Sequence, residues 1–144
     1  MKKLVLLGGG YGGLRIIQRL LASNVPNLEI VLIDREPFHC LKTEYYALAA
    51  GTISETDVRV PFPEHPNFTF QFGEVTDIDL DNKKITIRNQ NDQLETITYD
   101  ELVIGLGSED KYHGIPGADT YTLSIQTIDK ARETSQTLSN LPPG

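Results

Sequence analysis

Apolar positions along this chain alternate between strand-like runs and helix-like spacing, and the changes of period mark its elements. Leu4-Val5-Leu6-Leu7 is a continuous apolar run that ends in Gly8-Gly9-Gly10-Tyr11-Gly12-Gly13. Beyond the glycines, Leu14, Ile17, Leu20 and Leu21 recur at helical spacing, with Arg15, Gln18 and Arg19 on the other faces. This pattern predicts an amphipathic helix that Asn24 and Pro26 stop. A second apolar run, Glu29-Ile30-Val31-Leu32-Ile33, ends in Asp34. Residues 42–50 read as a short helix, with Leu41, Tyr45, Leu48 and Ala49 on one side and Gly51 as the stop. Residues 53–62, with Val58 and Val60 before two prolines, read as a short extended piece. Phe68, Phe70 and Phe72 alternate with polar residues and predict a third parallel strand.

The pattern then changes. Thr76-Ile78-Leu80, Ile85-Ile87 and Ile97-Tyr99 are three alternating runs, separated by turn chemistry at Asp81-Asn82 and across residues 89–92. They predict an antiparallel meander where a crossover helix would otherwise stand. Leu102-Val103-Ile104 is continuously apolar, which predicts a strand covered on both faces. It runs into Gly105-Leu106-Gly107, a second glycine turn at a strand's carboxyl end, and Ile115-Pro116-Gly117 makes a further turn. Thr127 is placed to cap a last helix whose inward residues are Ile128, Ala131, Ser135 and Leu138. Leu141-Pro142-Pro143-Gly144 reads as a linker. The fold class is α/β: a Rossmann-like parallel sheet with helices, plus a three-stranded antiparallel β-meander, incomplete as a domain.

Composition narrows the partners. The 144 residues carry a net charge of −7 with no basic cluster, which argues against a nucleic-acid surface. No apolar stretch is long enough to span a bilayer and no signal-like start is present, so a cytoplasmic module is expected. The one cysteine, Cys40, excludes an internal disulfide and a C-x-x-C pair, and reads as a small, half-buried side chain.

The chemistry concentrates at the first turn. Gly8, Gly10 and Gly13 supply the G-x-G-x-x-G spacing between a strand and a helix, within a strand–helix–strand unit. Gly8 allows the tight turn, Gly10 lets the backbone approach a pyrophosphate, and Gly13 lets the helix pack against the strand. The anion then meets the helix N-terminus, with its unpaired N–H groups and positive dipole end. Asp34 lies about 20 residues past the last glycine, where such a site has an acid for ribose hydroxyls.

Together, the fingerprint, the acid, the meander and the second glycine turn resemble the FAD-binding part of the pyridine-nucleotide–disulfide oxidoreductase superfamily. Within it the chain is most similar to type II NADH dehydrogenases, the NADH:quinone oxidoreductases. That narrower match is carried by Phe38-His39 followed by Ala47-Leu48-Ala49-Ala50-Gly51. It is also carried by Tyr99-Asp100-Glu101-Leu102-Val103-Ile104-Gly105-Leu106-Gly107-Ser108, leading to Gly114-Ile115-Pro116-Gly117. The resemblance implies that Gly8, Gly10, Tyr11, Gly12 and Gly13 hold the FAD pyrophosphate, and that Asp34, with Arg35 beside it, meets the adenosine ribose. It further implies that Val75 lies against the adenine through its backbone. By the same resemblance Lys42 and Thr43 would approach the ribityl or isoalloxazine end, and Gly107 matches the last glycine of the family's A-T-G turn, here with Gly105 and Leu106 ahead of it.

The resemblance also implies what lies outside residues 1–144. The superfamily's NAD-binding domain carries its own fingerprint, and the FAD domain resumes with a Gly-Asp pair near the flavin. Neither motif occurs here, so the expectation is an N-terminal portion of an FAD-binding domain. Its catalytic residues lie elsewhere, and the fragment alone is expected to be inactive. The longer enzyme would pass electrons from NADH to a quinone, at the inner face of the cell membrane through a C-terminal segment. The unpaired sheet edge predicts pairing into a homodimer or weak FAD binding. A sulfide:quinone oxidoreductase and a non-catalytic dinucleotide-binding module are the alternatives.

Other polar residues draw plainer expectations. His39, His65 and His113 read as solvated loop histidines rather than metal ligands. Asp77, Asp79 and Asp81 read as a solvated strand face, and Glu44 as a surface helix charge rather than a proton relay. Tyr45 and Tyr46 are open between stacking on a flavin and packing the short helix.

Overall fold

The computed structural model describes residues 1–142; the Pro143-Gly144 end of the expected linker lies outside them. The chain divides into two compact units, residues 1–39 with 61–107, and residues 40–60 with 108–144.

The first unit is built on a parallel sheet of β1 (Lys2–Leu7), β2 (Leu28–Asp34), β5 (Phe68–Phe72) and β9 (Glu101–Ile104), in the order β5-β2-β1-β9. Leu4 pairs with Ile30 and with Glu101, and Ile30 pairs with Phe68. Because strand side chains alternate in direction, β1 and β2 are continuously apolar only if both sheet faces are covered. They are. On one face Leu4, Leu6, Ile30 and Leu32 pack with Ile17 of α1 (Tyr11–Ala22), joined by Leu20, Leu21, Phe62, Phe68 and Phe70. On the other, Val5, Leu7, Val31 and Ile33 pack with Ile85, Ile87 and Tyr99. Those three belong to the meander region, where β6 (Glu74–Asp79), β7 (Lys84–Arg88) and β8 (Leu94–Thr98) pair antiparallel in chain order.

Two expectations about this unit are corrected. The inward residues of β6 are not Thr76, Ile78 and Leu80. The register slips by one residue between Val75 and Asp77, so Val75 and Ile78 face the core while Leu80 is 65% exposed. A β-bulge inserts one unpaired residue and rephases every side chain on one side of it. Leu102-Val103-Ile104 is covered on both faces only in part, Leu102 packing on the meander side and Val103 on the α1 side. β9 is an edge strand, with Leu102 and Val103 half-buried and Ile104 exposed.

Two three-residue strands that the periodicity was too short to reveal, β3 (Phe38–Cys40) and β4 (Arg59–Pro61), pair with each other where the chain passes between the units. In the second unit a single 3-10 turn (Lys42–Glu44) leads into α2 (Tyr45–Ala49), and another 3-10 turn (Glu55–Val58) is closed by a Ser54–Asp57 capping box. A further one-turn helix, α3 (Ala118–Tyr121), follows Gly117. α4 (Ile128–Ser139) packs against α2, and the Thr127 hydroxyl accepts the Lys130 N–H at 3.1 Å as its cap. Ile128 and Ala131 are buried as expected, but Leu138 is exposed. Thr134 takes the inward place instead, its hydroxyl donating to the Ser124 carbonyl at 2.8 Å. Arg132 pairs with both Glu55 and Asp129, linking α4 to the segment before β4.

Candidate functional site

The carboxyl ends of the four parallel strands converge on the glycine turn. Gly8 N–H donates to the Ile33 carbonyl at 2.9 Å, and Gly105 N–H to the Leu7 carbonyl at 2.7 Å, so β2, β1 and β9 are joined at this edge. Gly73 N–H donates to the Asp34 carbonyl at 3.0 Å, which brings the start of β6, and with it Val75, beside the end of β2. Gly107 follows with φ +81° at the exposed end of the second glycine turn. The residues Gly8, Gly10, Tyr11, Gly12, Gly13, Asp34, Arg35, Val75 and Gly107 therefore gather at one sheet edge of the first unit.

The glycines of the turn fall into two kinds. Gly8 has φ +96°, and a Cβ there would stand 2.2 Å from the Gly105 carbonyl oxygen. A Cβ on Gly13 would stand 2.2 Å from the Gly8 oxygen. Both are demanded by the packing of the chain on itself. Gly10 and Gly12 are different, because a Cβ on either meets nothing within 4 Å. Their bare backbone leaves open space at the start of α1. That helix has no side-chain cap and no acid in its first turn, and the Gly10 and Gly12 N–H groups meet no acceptor among the described residues. Uncapped N–H groups and the dipole together form an anion site.

Asp34 does more than its position in the motif predicts. Its Oδ2 accepts the Gly9 N–H at 2.6 Å and its Oδ1 accepts the Glu36 N–H at 2.9 Å. A carboxylate offers about four acceptor sites, so it retains capacity for ribose hydroxyls after these two. Arg35 beside it is exposed and has no ion-pair partner among the described residues.

His39 is the residue the sequence reading missed. It is 2% exposed, not solvated; its Nδ1 lies 2.8 Å from the Gly9 carbonyl oxygen, and its ring meets Tyr11 edge-on at 4.7 Å. The one available signal was its place in the resemblance, beside Phe38. His65 is half-buried and accepts the Asn67 N–H, and His113 is exposed.

Lys42 and Thr43 belong to the second unit, both exposed on its first 3-10 turn. Of the two tyrosines left open, Tyr45 is buried in the core of that unit and Tyr46 is 64% exposed. Ionisation in this unit follows its ion pairs. Hydrogen bonding to Arg132, and the charges of Arg132 and Arg59, hold the Glu55 carboxyl below its ordinary range. The Ser124 hydroxyl and then Lys130 do the same for Asp110. The Asn82 side chain lowers Asp79 in the β6–β7 turn.

The sequence profile of pyridine nucleotide-disulphide oxidoreductases matches residues 2–140. The chain belongs to that family. It is 57% identical over 142 residues to the NADH dehydrogenase-like protein YutJ of Bacillus subtilis. That match covers 98% of this chain and 39% of YutJ. It is 32% identical over 139 residues to a type II NADH:quinone oxidoreductase of Staphylococcus saprophyticus, covering 94% of this chain and 33% of that protein. The solved sulfide:quinone oxidoreductase of Aquifex aeolicus superposes with a TM-score of 0.81 at 30% identity, over 96% of this chain and 32% of that one. NDH2 of Plasmodium falciparum, solved with NADH, has a TM-score of 0.79 at 23% identity and shares the fold; the match covers 98% of this chain and 30% of that one. The chain thus spans about a third to two-fifths of the length of the relatives it matches. No helix among the described residues is long and apolar enough to cross a membrane.

Proposed function

We propose that this chain is the FAD-binding part of a flavoprotein that passes electrons from NADH to a quinone-type acceptor. The observation that carries the reading is the open backbone at Gly10 and Gly12. A Cβ on either would meet nothing within 4 Å, at an uncapped helix N-terminus, while one on Gly8 or Gly13 beside them would collide with the chain. Glycine lowers helix stability relative to alanine, so a glycine at position 12 whose Cβ direction is open is best explained by a ligand that needs the space.

On this reading the N–H groups at the start of α1 neutralise the pyrophosphate. The acceptor capacity left on Asp34 takes the adenosine ribose hydroxyls, and Arg35 adds positive charge beside them. Val75 turns its side chain to the core, so its backbone is the part that would meet the adenine. FAD held there would supply the two-electron chemistry between a nicotinamide and a quinone, while the protein contributes binding, orientation and electrostatics. Support for FAD over NAD comes from the meander covering one sheet face, which accompanies the FAD-binding part in the resemblance. Support for a quinone-type acceptor comes from the names of the relatives. The roles of Lys42, Thr43 and Gly107 follow the resemblance alone. Residues 1–144 then form the N-terminal portion of the FAD-binding domain of a longer enzyme. The membrane-peripheral place of that enzyme follows the resemblance alone.

The purified chain should bind FAD, shown by a visible flavin spectrum and release of FAD on denaturation. Binding of NAD without flavin would replace this reading with a nicotinamide-binding one. The Aquifex aeolicus likeness supports a second reading, sulfide oxidation. Assay of the longer protein with sulfide and with NADH as alternative donors to a quinone separates the two.

A further inference from the structure

Gly9 is the one residue of the glycine turn whose every direction is occupied. Its N–H donates to Asp34 Oδ2 at 2.6 Å, and its carbonyl lies 2.8 Å from His39 Nδ1. A side chain there would collide with Phe62, 2.5 Å from the position of a Cβ. The carbonyl of Gly9 can only accept, so Nδ1 of His39 must carry the proton in this contact. His39 is held in place by burial and by the Tyr11 ring against its own. It lies five residues beyond Asp34, on β3, so the end of β2 and the strand that follows hold the two peptide groups on either side of the Gly9 Cα.

The carbonyl of Gly9 and the N–H of Gly10 belong to the same peptide unit. A planar peptide turns as a whole, so a donor on its oxygen fixes the direction of its N–H. A hydrogen bond accepted at the oxygen also polarises the unit and strengthens the N–H as a donor. The Gly10 N–H is the first of the unpartnered donors at the open end of α1.

We propose that His39 is a positioning residue, whose Nδ1–H to the Gly9 carbonyl orients and strengthens the Gly10 N–H for a phosphate oxygen, while Asp34 on the Gly9 N–H anchors the peptide before it. This rests on the reading of the turn as an FAD pyrophosphate site. It gives Asp34 and His39 a shared task that the spacing of the glycine motif does not contain. His39 touches no ligand in this scheme and acts through the peptide it holds.

The test compares three substitutions in the whole chain. In His39→Asn the amide nitrogen takes the place of Nδ1 and keeps the donor. In His39→Gln the amide lies where Nε2 was, and in His39→Leu no donor remains. FAD affinity, followed by quenching of flavin fluorescence, should fall about tenfold in His39→Leu and His39→Gln, as expected when the Gly10 N–H no longer makes a well-placed hydrogen bond to a charged phosphate. It should stay within about threefold of wild type in His39→Asn. The Gly10 amide proton should move upfield in the ligand-free protein for His39→Leu and return toward its wild-type shift for His39→Asn. Equal loss of affinity in His39→Asn and His39→Gln, tracking thermal stability alone, overturns the proposal, and so does an unmoved Gly10 amide. Should His39→Leu not fold, the Asn and Gln pair still decides. If wild type binds no FAD while the Gly10 amide responds as described, the FAD reading fails and the positioning role stands.

Discussion

At the scale of single residues, the glycine turn separates what the fold needs from what a ligand needs. Gly13→Ala forces a Cβ to within 2.2 Å of a backbone oxygen, and Gly8→Ala adds a strained φ of +96° to the same kind of collision. Each should destabilise the chain by about 1–3 kcal/mol or more, read as a fall in the urea midpoint. Gly10→Ala meets no such obstacle, and its backbone angles, φ −68° and ψ −170°, suit any residue. It should leave the urea midpoint of the ligand-free protein close to wild type and weaken FAD binding at least tenfold. Gly12→Ala should raise the ligand-free stability by up to about 1 kcal/mol, because alanine is the better helix former. Unchanged FAD affinity in both variants would count against the pyrophosphate reading. His39 shows the limit of residue-level inference. A lone histidine two residues past a proline has the look of a loop residue, and only the pairing of two three-residue strands carries it inside.

Elements hold predictions of a different kind, since they depend on caps, bulges and ion pairs rather than on one contact. Thr127→Ala removes the only side-chain cap of α4 and should cost about 1 kcal/mol, whereas Thr127→Ser should cost little. A circular-dichroism melt of the two variants checks this. Ionisation sets a pH limit on the same unit. Glu55 and Asp110 both have carboxyls lowered by their partners, Glu55 chiefly by hydrogen bonding to Arg132 and Asp110 chiefly by Ser124. A lowered folded-state pKa means the carboxylate stabilises the folded state above its unfolded value of about 4. That stability is lost as pH falls through the folded value. Thermal midpoints should therefore be level near neutrality and drop below about pH 4, with a shallower drop in Glu55→Gln. An identical acid profile in that variant would show the Glu55–Arg132 pair to be inert. The bulge in β6 belongs at this scale too, because one extra residue decides that Val75, not Thr76, reaches the core.

For the whole molecule, the consequence of the strand order is an open edge. Among the described residues β9 pairs only with β1, and Ile104 and Leu106 at its end are 57% and 56% exposed. An apolar edge strand with unpaired backbone groups is a template for another strand. The isolated chain should self-associate, with an elution volume that shifts with concentration in gel filtration. Ile104→Lys should reduce that shift, since a charged edge residue opposes pairing. Wild type eluting as a monomer at every concentration would contradict the expectation.

Much of the architecture was legible in the sequence because period and burial coincide there. Leu4–Leu7 and Ile30–Ile33 are continuous because the meander covers one face of the sheet and α1 the other. The glycine spacing and Asp34 likewise mark the turn before any coordinates are known. What hydrophobic pattern could not decide were features created by long-range packing. Leu102-Val103-Ile104 is as apolar as β1, yet it is an edge, because pattern records the hydrophobicity of a strand and not whether its neighbours are present. The grip of Asp34 and His39 on the two sides of Gly9 joins residues 25 and 30 positions away from it. Such contacts are made by the folding of β2 and β3 against the turn, and no local spacing encodes them.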